Sequence, residues 1–200
     1  LFPENSNFGT RLDEPAGIGY DYGITMPEEG ERMTDTEAMH EALSLAREAA
    51  DEGEVPVGCI VTDGEHIVGR GRNRRETGKS ALAHAELEAI AEACRTLGGW
   101  RLWRCTLYVT LEPCPMCAGA IINARIPRVV FGAPDPKAGS CGSVTDLFAL
   151  PYNHRPACEG GVLEEECAQL LRDFFRALRL APPKPRWKPA VLPAQGGDHA

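Results

Sequence analysis

Two short segments of this chain carry side chains that suit a single metal ion, so the fold has to bring the two segments together. The first is His84-Ala85-Glu86 and the second, further along the chain, is Pro113-Cys114-Pro115-Met116-Cys117. Histidine nitrogen and cysteine sulfur are common zinc ligands, and three of them leave the fourth tetrahedral position open for water, as in catalytic zinc sites. The sequence therefore predicts a catalytic zinc site with His84, Cys114 and Cys117 as ligands and water as the nucleophile.

The spacing within each segment predicts its local structure. Proline lacks a backbone N–H, which costs nothing at the first position of a helix, so we expect a helix to begin at Pro115. Such a helix would hold Cys114 and Cys117 together at its positive end. His84 and Glu86 are two residues apart, which in a regular helix would place them on opposite faces. We therefore expect this pair at the irregular start of a helix, where both side chains can face the metal.

Each half of this pattern also has an ordinary interpretation. A single C-x-x-C sequence often forms a structural zinc knuckle or a redox pair. A single histidine is more often a core or surface residue than a metal ligand. The catalytic interpretation depends on the two halves occurring in one chain.

Length and composition favour one folded domain. The chain has 200 residues, of which 43% are hydrophobic, enough for a full core. It shows neither a secretory-type apolar stretch near its start nor an apolar run of about 18 residues, so we expect a cytoplasmic protein without a membrane partner. In a reducing compartment, the eight cysteines are better interpreted as thiols and metal ligands than as disulfides.

The charge of the chain is unevenly distributed. The formal net charge is -8, and residues 1–54 carry 14 acidic and 3 basic side chains, whereas the rest of the chain is mildly basic. Five basic residues upstream of His84 form a candidate strip for binding phosphates. Alternatively, they lie on a solvent-exposed strand edge, where their charge prevents aggregation. These residues are Arg70, Arg72, Arg74, Arg75 and Lys79.

The chain divides into three predicted parts. Residues 1–33 are polar, punctuated by Gly and Pro and without periodicity, which predicts a flexible extension, and the prolines of residues 181–200 predict a disordered tail. Residues 34–180 form the predicted domain, in which a hairpin at Asp63-Gly64 precedes alternating helices and strands, typical of a mixed sheet between helices. The predicted helices are 34–52, one through 87–91, 116–123 and 164–180, and the predicted strands are 57–62, 66–72, 105–111 and 128–131.

The residues around the cysteine motif resemble a known family. Residues 106–120 and 125–133 closely resemble bacterial tRNA-specific adenosine deaminases of the cytidine deaminase-like superfamily, and the H-x-E and P-C-x-x-C pattern is shared by zinc nucleobase deaminases. The resemblance spans residues 34–180. It implies a cytidine deaminase-like three-layer α/β/α sandwich with a mixed sheet of about five strands, and a homodimer with one zinc ion per subunit.

The resemblance also implies a reaction and the roles of single residues. Members of the family deaminate adenosine to inosine at the wobble position of a tRNA anticodon, so we expect an anticodon stem-loop as substrate, an arginine tRNA being the expected species. His84, Cys114 and Cys117 match the metal ligands of the family, and Glu86 matches its proton shuttle.

Three further residues match positions that contact the substrate in the family. Asn73 matches the asparagine that recognises the flipped base, although an Asn at this place could equally be an ordinary turn residue. Asp135 and Lys137, in the loop after the fourth strand, match positions near the RNA backbone.

Two other function classes remain open from the sequence. A zinc deaminase of a small nucleobase or nucleoside, such as guanine or cytosine, would keep the same metal site without needing a basic strip. A zinc-stabilised binding module without enzymatic activity would need a fourth protein ligand, and it would leave Glu86 without a functional role.

Overall fold

The computed structural model of the protein describes residues 33–182. The predicted flexible extension at 1–33 and the predicted disordered tail at 181–200 lie outside the described residues, except for residues 33, 181 and 182. The predicted domain at 34–180 lies entirely within the described part.

The described residues form four helices and five strands, most of them where the sequence predicts them. In chain order they are α1 (Asp35–Asp51), β1 (Gly58–Asp63), β2 (His66–Arg72), α2 (Ala85–Thr96), β3 (Cys105–Leu111), α3 (Pro115–Ala124), β4 (Arg128–Ala133), β5 (Ala157–Gly160) and α4 (Glu164–Leu180).

Helix α1 has clear signals at both ends. The Oγ1 of Thr34 accepts a hydrogen bond from the Glu37 N–H (3.2 Å), and the Glu37 carboxylate accepts one from the Thr34 N–H (2.8 Å). This reciprocal pair satisfies two N–H groups that the first turn would otherwise leave free. The chain leaves the helix at Gly53, whose φ of 77° costs a glycine little.

The five strands form one mixed sheet in the order β2-β1-β3-β4-β5. Strand β1 pairs antiparallel with β2 and β3, whereas β3 pairs parallel with β4 and β4 parallel with β5. The prediction of a mixed sheet of about five strands is therefore confirmed. The short edge strand β5 is exposed along its whole length, so it lacks the alternating apolar pattern by which a strand is recognised in a sequence.

Helices cover both faces of the sheet and create two hydrophobic cores. On one face, α2 and α3 pack on alternate residues of the central strands, with Ile90 and Ile121 in this core. On the other face, α1 contributes Met39 and Leu43, and α4 contributes Cys167. The three-layer α/β/α arrangement predicted from the sequence is confirmed.

Helix α2 lies against the backbone of β2, because two glycines of the strand leave room for it. A Cβ atom at Gly69 would lie 2.2 Å from the carbonyl oxygen of Ala89, and one at Gly71 would lie 2.1 Å from that of Ala85. Both distances are far inside van der Waals contact. Any side chain at Gly71 would therefore push away the first turn of α2, which carries the His84–Glu86 segment.

The topology gathers three loops at one edge of the sheet. Strands β2 and β3 are both antiparallel to β1, and β4 is parallel to β3, so these three strands run in the same direction. Their carboxyl ends therefore meet at one edge. The loop after β2 leads to α2, the one after β3 leads to α3, and the one after β4 contains residues 134–143.

Candidate metal centre and active site

The cysteine and histidine motifs lie at the starts of two helices. His84 is the residue that precedes α2, and Cys114 is the residue that precedes α3, with Pro115 at its first position. Both have extended backbone conformations, and neither side chain caps its helix. Their side chains are therefore free to bind something else, and the predicted helix start at Pro115 is confirmed.

The three predicted ligand atoms form one compact group. One ring nitrogen of His84 and the sulfurs of Cys114 and Cys117 all lie within 4.8 Å of one another. His84 Nδ1 is 3.7 Å from Cys114 Sγ and 3.5 Å from Cys117 Sγ. Ligands around tetrahedral zinc lie about 3.5 to 3.8 Å apart, given bonds of about 2.3 Å to sulfur and 2.0 Å to nitrogen. The two nitrogen–sulfur distances therefore match those expected around tetrahedral zinc.

Hydrogen bonds within this group favour the thiolate form of Cys114. A hydrogen bond with Cys117 lowers the pKa of Cys114 to about 4, whereas the same bond, together with burial, raises the pKa of Cys117. The hydrogen bond to Cys114 raises the pKa of His84. A divalent cation would replace these shared protons and hold both sulfurs as thiolates, as zinc ligands must be.

Glu86 lies in the first turn of α2, beside the ligand group, and is 4% exposed. Burial raises the pKa of its carboxyl group above the usual range. Raised carboxyl pKa values suit a group that takes up and returns protons near neutral pH. Glu86 is not part of the compact donor group, so its carboxylate stays available for proton transfer.

Asn73 immediately follows β2 and is buried, with 6% of its surface exposed. Its backbone N–H donates to the Val57 carbonyl (2.9 Å). Its side-chain Nδ2 donates to the Val55 carbonyl (3.2 Å) and to Glu54 Oε2 (3.4 Å). The amide is therefore held in one orientation, which leaves Oδ1 as the acceptor that a bound molecule can use.

Glu54 is a site residue that the sequence interpretation missed. Its carboxylate, 1% exposed, accepts hydrogen bonds from the backbone N–H groups of Glu76 (3.2 Å) and Thr77 (2.6 Å), besides that from Asn73. It therefore holds the loop between β2 and α2 in place. The sequence signal is an acidic residue next to the apolar run 55–57, which immediately precedes β1.

Asp135 and Lys137 lie in the loop after β4, at the same edge of the sheet. The Lys137 N–H donates to Asp135 Oδ1 (2.9 Å), and the Lys137 side chain is exposed. A second buried carboxylate, Glu112, accepts hydrogen bonds from this loop and was likewise missed. Burial opposes ionisation of Glu112, but hydrogen bonds from Ser143 and the loop backbone prevail and lower its pKa.

The basic strip predicted before His84 is partly neutralised within the chain. Arg72 pairs with Glu52 (2.6 Å) and Glu48 (3.5 Å), and Arg74 pairs with Glu88 (3.0 Å). Pairs this close to the surface are weak, but the carboxylates reduce the local positive charge around both guanidinium groups. The strip is therefore less available to phosphates than its sequence suggests.

No helix within residues 33–182 is both long and apolar enough to cross a membrane.

Comparisons with known proteins agree with this geometry. The family model of the MafB19-like deaminases matches residues 33–179. The tRNA-specific adenosine deaminase of Bacillus subtilis is 50% identical over 142 residues, covering 70% of this chain and 88% of that protein. A structure from a study of A-to-I editing by tRNA:A34 deaminases at the wobble position is 42% identical, with a TM-score of 0.66, and the match covers 68% of this chain and 99% of that one.

A longer protein also contains a similar segment. The tRNA(Ile)-lysidine synthase of Deinococcus radiodurans is 53% identical over 144 residues, which are 71% of this chain but only 25% of that protein. This chain therefore spans nearly the whole of the deaminase relative and a quarter of the synthase.

Proposed function

Because this chain belongs to the family of tRNA-specific adenosine deaminases and also matches the MafB19-like deaminase model, we propose that it hydrolyses adenosine to inosine at the wobble position of a tRNA anticodon. The observation that carries the proposal is the compact His84, Cys114 and Cys117 donor group beside the buried carboxyl group of Glu86. The proposed enzyme is a cytoplasmic homodimer, and the expected substrate is an arginine tRNA.

We propose one zinc ion per subunit, held by His84 Nδ1 and the sulfurs of Cys114 and Cys117. When bound, zinc would lower the pKa of a coordinated water enough for it to act as a nucleophile near neutral pH. Three protein ligands rather than four are consistent with this role, because a structural zinc site would use a fourth protein side chain.

Glu86 is the proposed proton carrier. Its carboxylate would take a proton from the attacking water and deliver it to N1 of adenine while C6 is attacked. It would then take the second proton from the hydroxyl now bonded to C6 and pass it to the amino group. The C6–N6 bond breaks, so that adenosine and water give inosine and ammonia. Burial favours the protonated carboxyl group that this transfer creates.

The substrate base has to leave its stack to reach this site. An unpaired anticodon loop allows this at lower cost than a duplex does, which favours a loop substrate. Exposed cations at the same edge can bind the backbone phosphates, and since Arg72 and Arg74 are paired, we assign this role to Arg75, Lys79 and Lys137. Asp135 would contact the RNA from the same loop as Lys137.

Asn73→Ala is expected to lower kcat/KM on tRNA by about ten- to a hundredfold, because the variant removes the polar partner of the flipped base. Zinc content should stay at one ion per chain. Since Asn73 Nδ2 also binds Glu54, the melting temperature should fall, so activity is measured well below it. The matched control is Thr77→Ala, which keeps its backbone bond to Glu54 and should stay within about twofold of the wild-type rate. An unchanged kcat/KM would make Asn73 a turn residue.

The substrate itself is tested by incubating purified protein with total bacterial tRNA and digesting the tRNA for mass spectrometry. We expect inosine at a wobble adenosine, an apparent affinity that falls steeply as salt rises, and little action on free adenosine. A parallel assay measures ammonia release from guanine, cytosine, cytidine and adenosine. If one of these is turned over rapidly and independently of salt, and no inosine forms in the tRNA, the proposal of a tRNA substrate is contradicted. The proposal of a zinc-dependent deamination would still stand. No turnover at all, with four protein ligands by metal spectroscopy, would favour a binding module.

A further inference from the structure

The carboxylate of Glu112 is a buried anchor for the loop after β4. Its side chain follows β3 directly, and the residue is 3% exposed. Oε2 accepts from the Asp135 N–H (3.0 Å), and Oε1 accepts from the N–H groups of Cys141 (2.9 Å) and Ser143 (3.0 Å). The Ser143 hydroxyl donates a further bond to Oε2. One carboxylate thus holds both ends of a loop of nine residues, 135–143.

The same anchor lies next to a predicted zinc ligand. Glu112 is separated from Cys114 only by Pro113, whose carbonyl oxygen accepts a hydrogen bond from the Ser140 N–H (2.9 Å). The loop also fits closely around the carboxylate, since a Cβ atom at Gly139 would lie 2.3 Å from Glu112 Oε2. The position of the loop relative to Cys114 is therefore set by the Glu112 carboxylate together with the backbone bond from Ser140 to Pro113.

The chemistry of the contact requires a carboxylate. All the groups that bind Glu112 here are donors, three of them backbone N–H groups and one a hydroxyl. An ionised carboxylate offers only acceptors, so each oxygen can serve two donors at once. A glutamine of the same shape would turn an NH₂ group towards N–H groups and would leave buried donors unsatisfied.

We propose that Glu112 is a positioning residue, which holds Asp135 and Lys137 in place beside the metal centre so that the loop meets the RNA already ordered. Ordering the loop before binding lowers the entropic cost of the complex. The inference rests on the proposed function only in taking RNA as the molecule that Asp135 and Lys137 contact.

The first test compares the kinetics of Glu112→Gln with those of Gly139→Ala, which crowds the same carboxylate without changing charge. We expect both to raise KM for tRNA by about tenfold or more, with a smaller change in kcat and with zinc content unchanged. Ser143→Ala, which loses only the hydroxyl bond, should shift KM less in the same direction and serves if the stronger variants fail to fold. Glu65→Gln, in the distant β1–β2 turn, should leave both constants unchanged. A fall in kcat at constant KM would indicate partial unfolding and overturn the proposal.

The second test is a double-mutant cycle with Lys137→Ala. If Glu112 acts by placing Lys137, then Lys137→Ala should raise KM in the wild-type background and have little further effect in the Glu112→Gln background. Effects that simply multiply would contradict the proposal.

A third measurement does not depend on the substrate. In Glu112→Gln, hydrogen exchange at the amides of Asp135, Cys141 and Ser143 should accelerate about tenfold or more, while the Glu76 and Thr77 amides, bound by Glu54, should not change. If exchange is faster but the wild-type enzyme makes no inosine in tRNA, the role of Glu112 in holding the loop is supported and the proposed substrate is rejected. Unchanged exchange would reject the anchor, whatever the substrate is.

Discussion

Replacing Glu86 with alanine is expected to lower kcat on tRNA by about 10²- to 10⁴-fold while one zinc ion per chain stays bound. The carboxyl group lies buried beside the donor group and is the proposed carrier of protons between water, N1 and the leaving amine. Zinc should remain because His84, Cys114 and Cys117 supply the three ligands without it. Steady-state kinetics and metal analysis of the same preparation measure both quantities.

The isosteric variant Glu86→Gln separates proton transfer from packing. It fills the same space but cannot carry a proton as a carboxylate does, so its rate should fall nearly as far as that of Glu86→Ala. Glu92→Gln, further along α2, is the matched control, because its amide oxygen can still accept the bond from the Arg70 N–H. Loss of zinc from Glu86→Ala, or a wild-type rate in either variant, would refute the proposed role.

The second large effect is expected for Cys117→Ala, which should bind no zinc and show no activity above background. Cys117 is fully buried and its sulfur lies 3.5 Å from His84 Nδ1, so the alanine variant leaves only two of the three proposed ligands in the site. If zinc binds only the folded state, losing the ion lowers the free energy of unfolding by about 4 kcal/mol when free zinc exceeds its Kd about a thousandfold. Metal analysis and thermal unfolding measure these changes.

A chelator provides the internal comparison. Removing zinc should lower the melting temperature of the wild-type protein and leave that of Cys117→Ala unchanged. Cys167→Ala, which truncates another buried cysteine on the opposite face of the sheet, should retain one zinc ion per chain. Stoichiometric zinc in Cys117→Ala would refute the ligand assignment.

Much of the fold follows from local signals in the sequence. Asp63-Gly64 predicts the turn between β1 and β2, and Pro115 predicts the start of α3, as the structure has them. These signals are strong because turns and helix starts are decided by a few neighbouring residues. Strand β5 has no such signal, since only pairing with β4 makes the exposed residues 157–160 a strand.

The basic strip shows where charge in a sequence misleads. In the sequence, Arg72 and Arg74 look like unpaired positive charges. In the fold, Glu52 and Glu88 from other parts of the chain neutralise them. Only the packing of α1 and α2 around β2 brings these carboxylates into reach. Sequence distance therefore says little about which cations are available to RNA.

The sequence by itself determined the set of residues from which the chemistry is proposed: a histidine, two cysteines and a glutamate whose types and spacings suit one metal and one proton carrier. The tertiary structure decided where that chemistry lies and what supports it. Strands β2, β3 and β4 run in the same direction, so their following loops meet at one edge, and buried Glu54 and Glu112 hold two of those loops. A ligand motif is local and can be read along the chain, whereas a buried carboxylate is identified only by the N–H groups that distant segments bring to it.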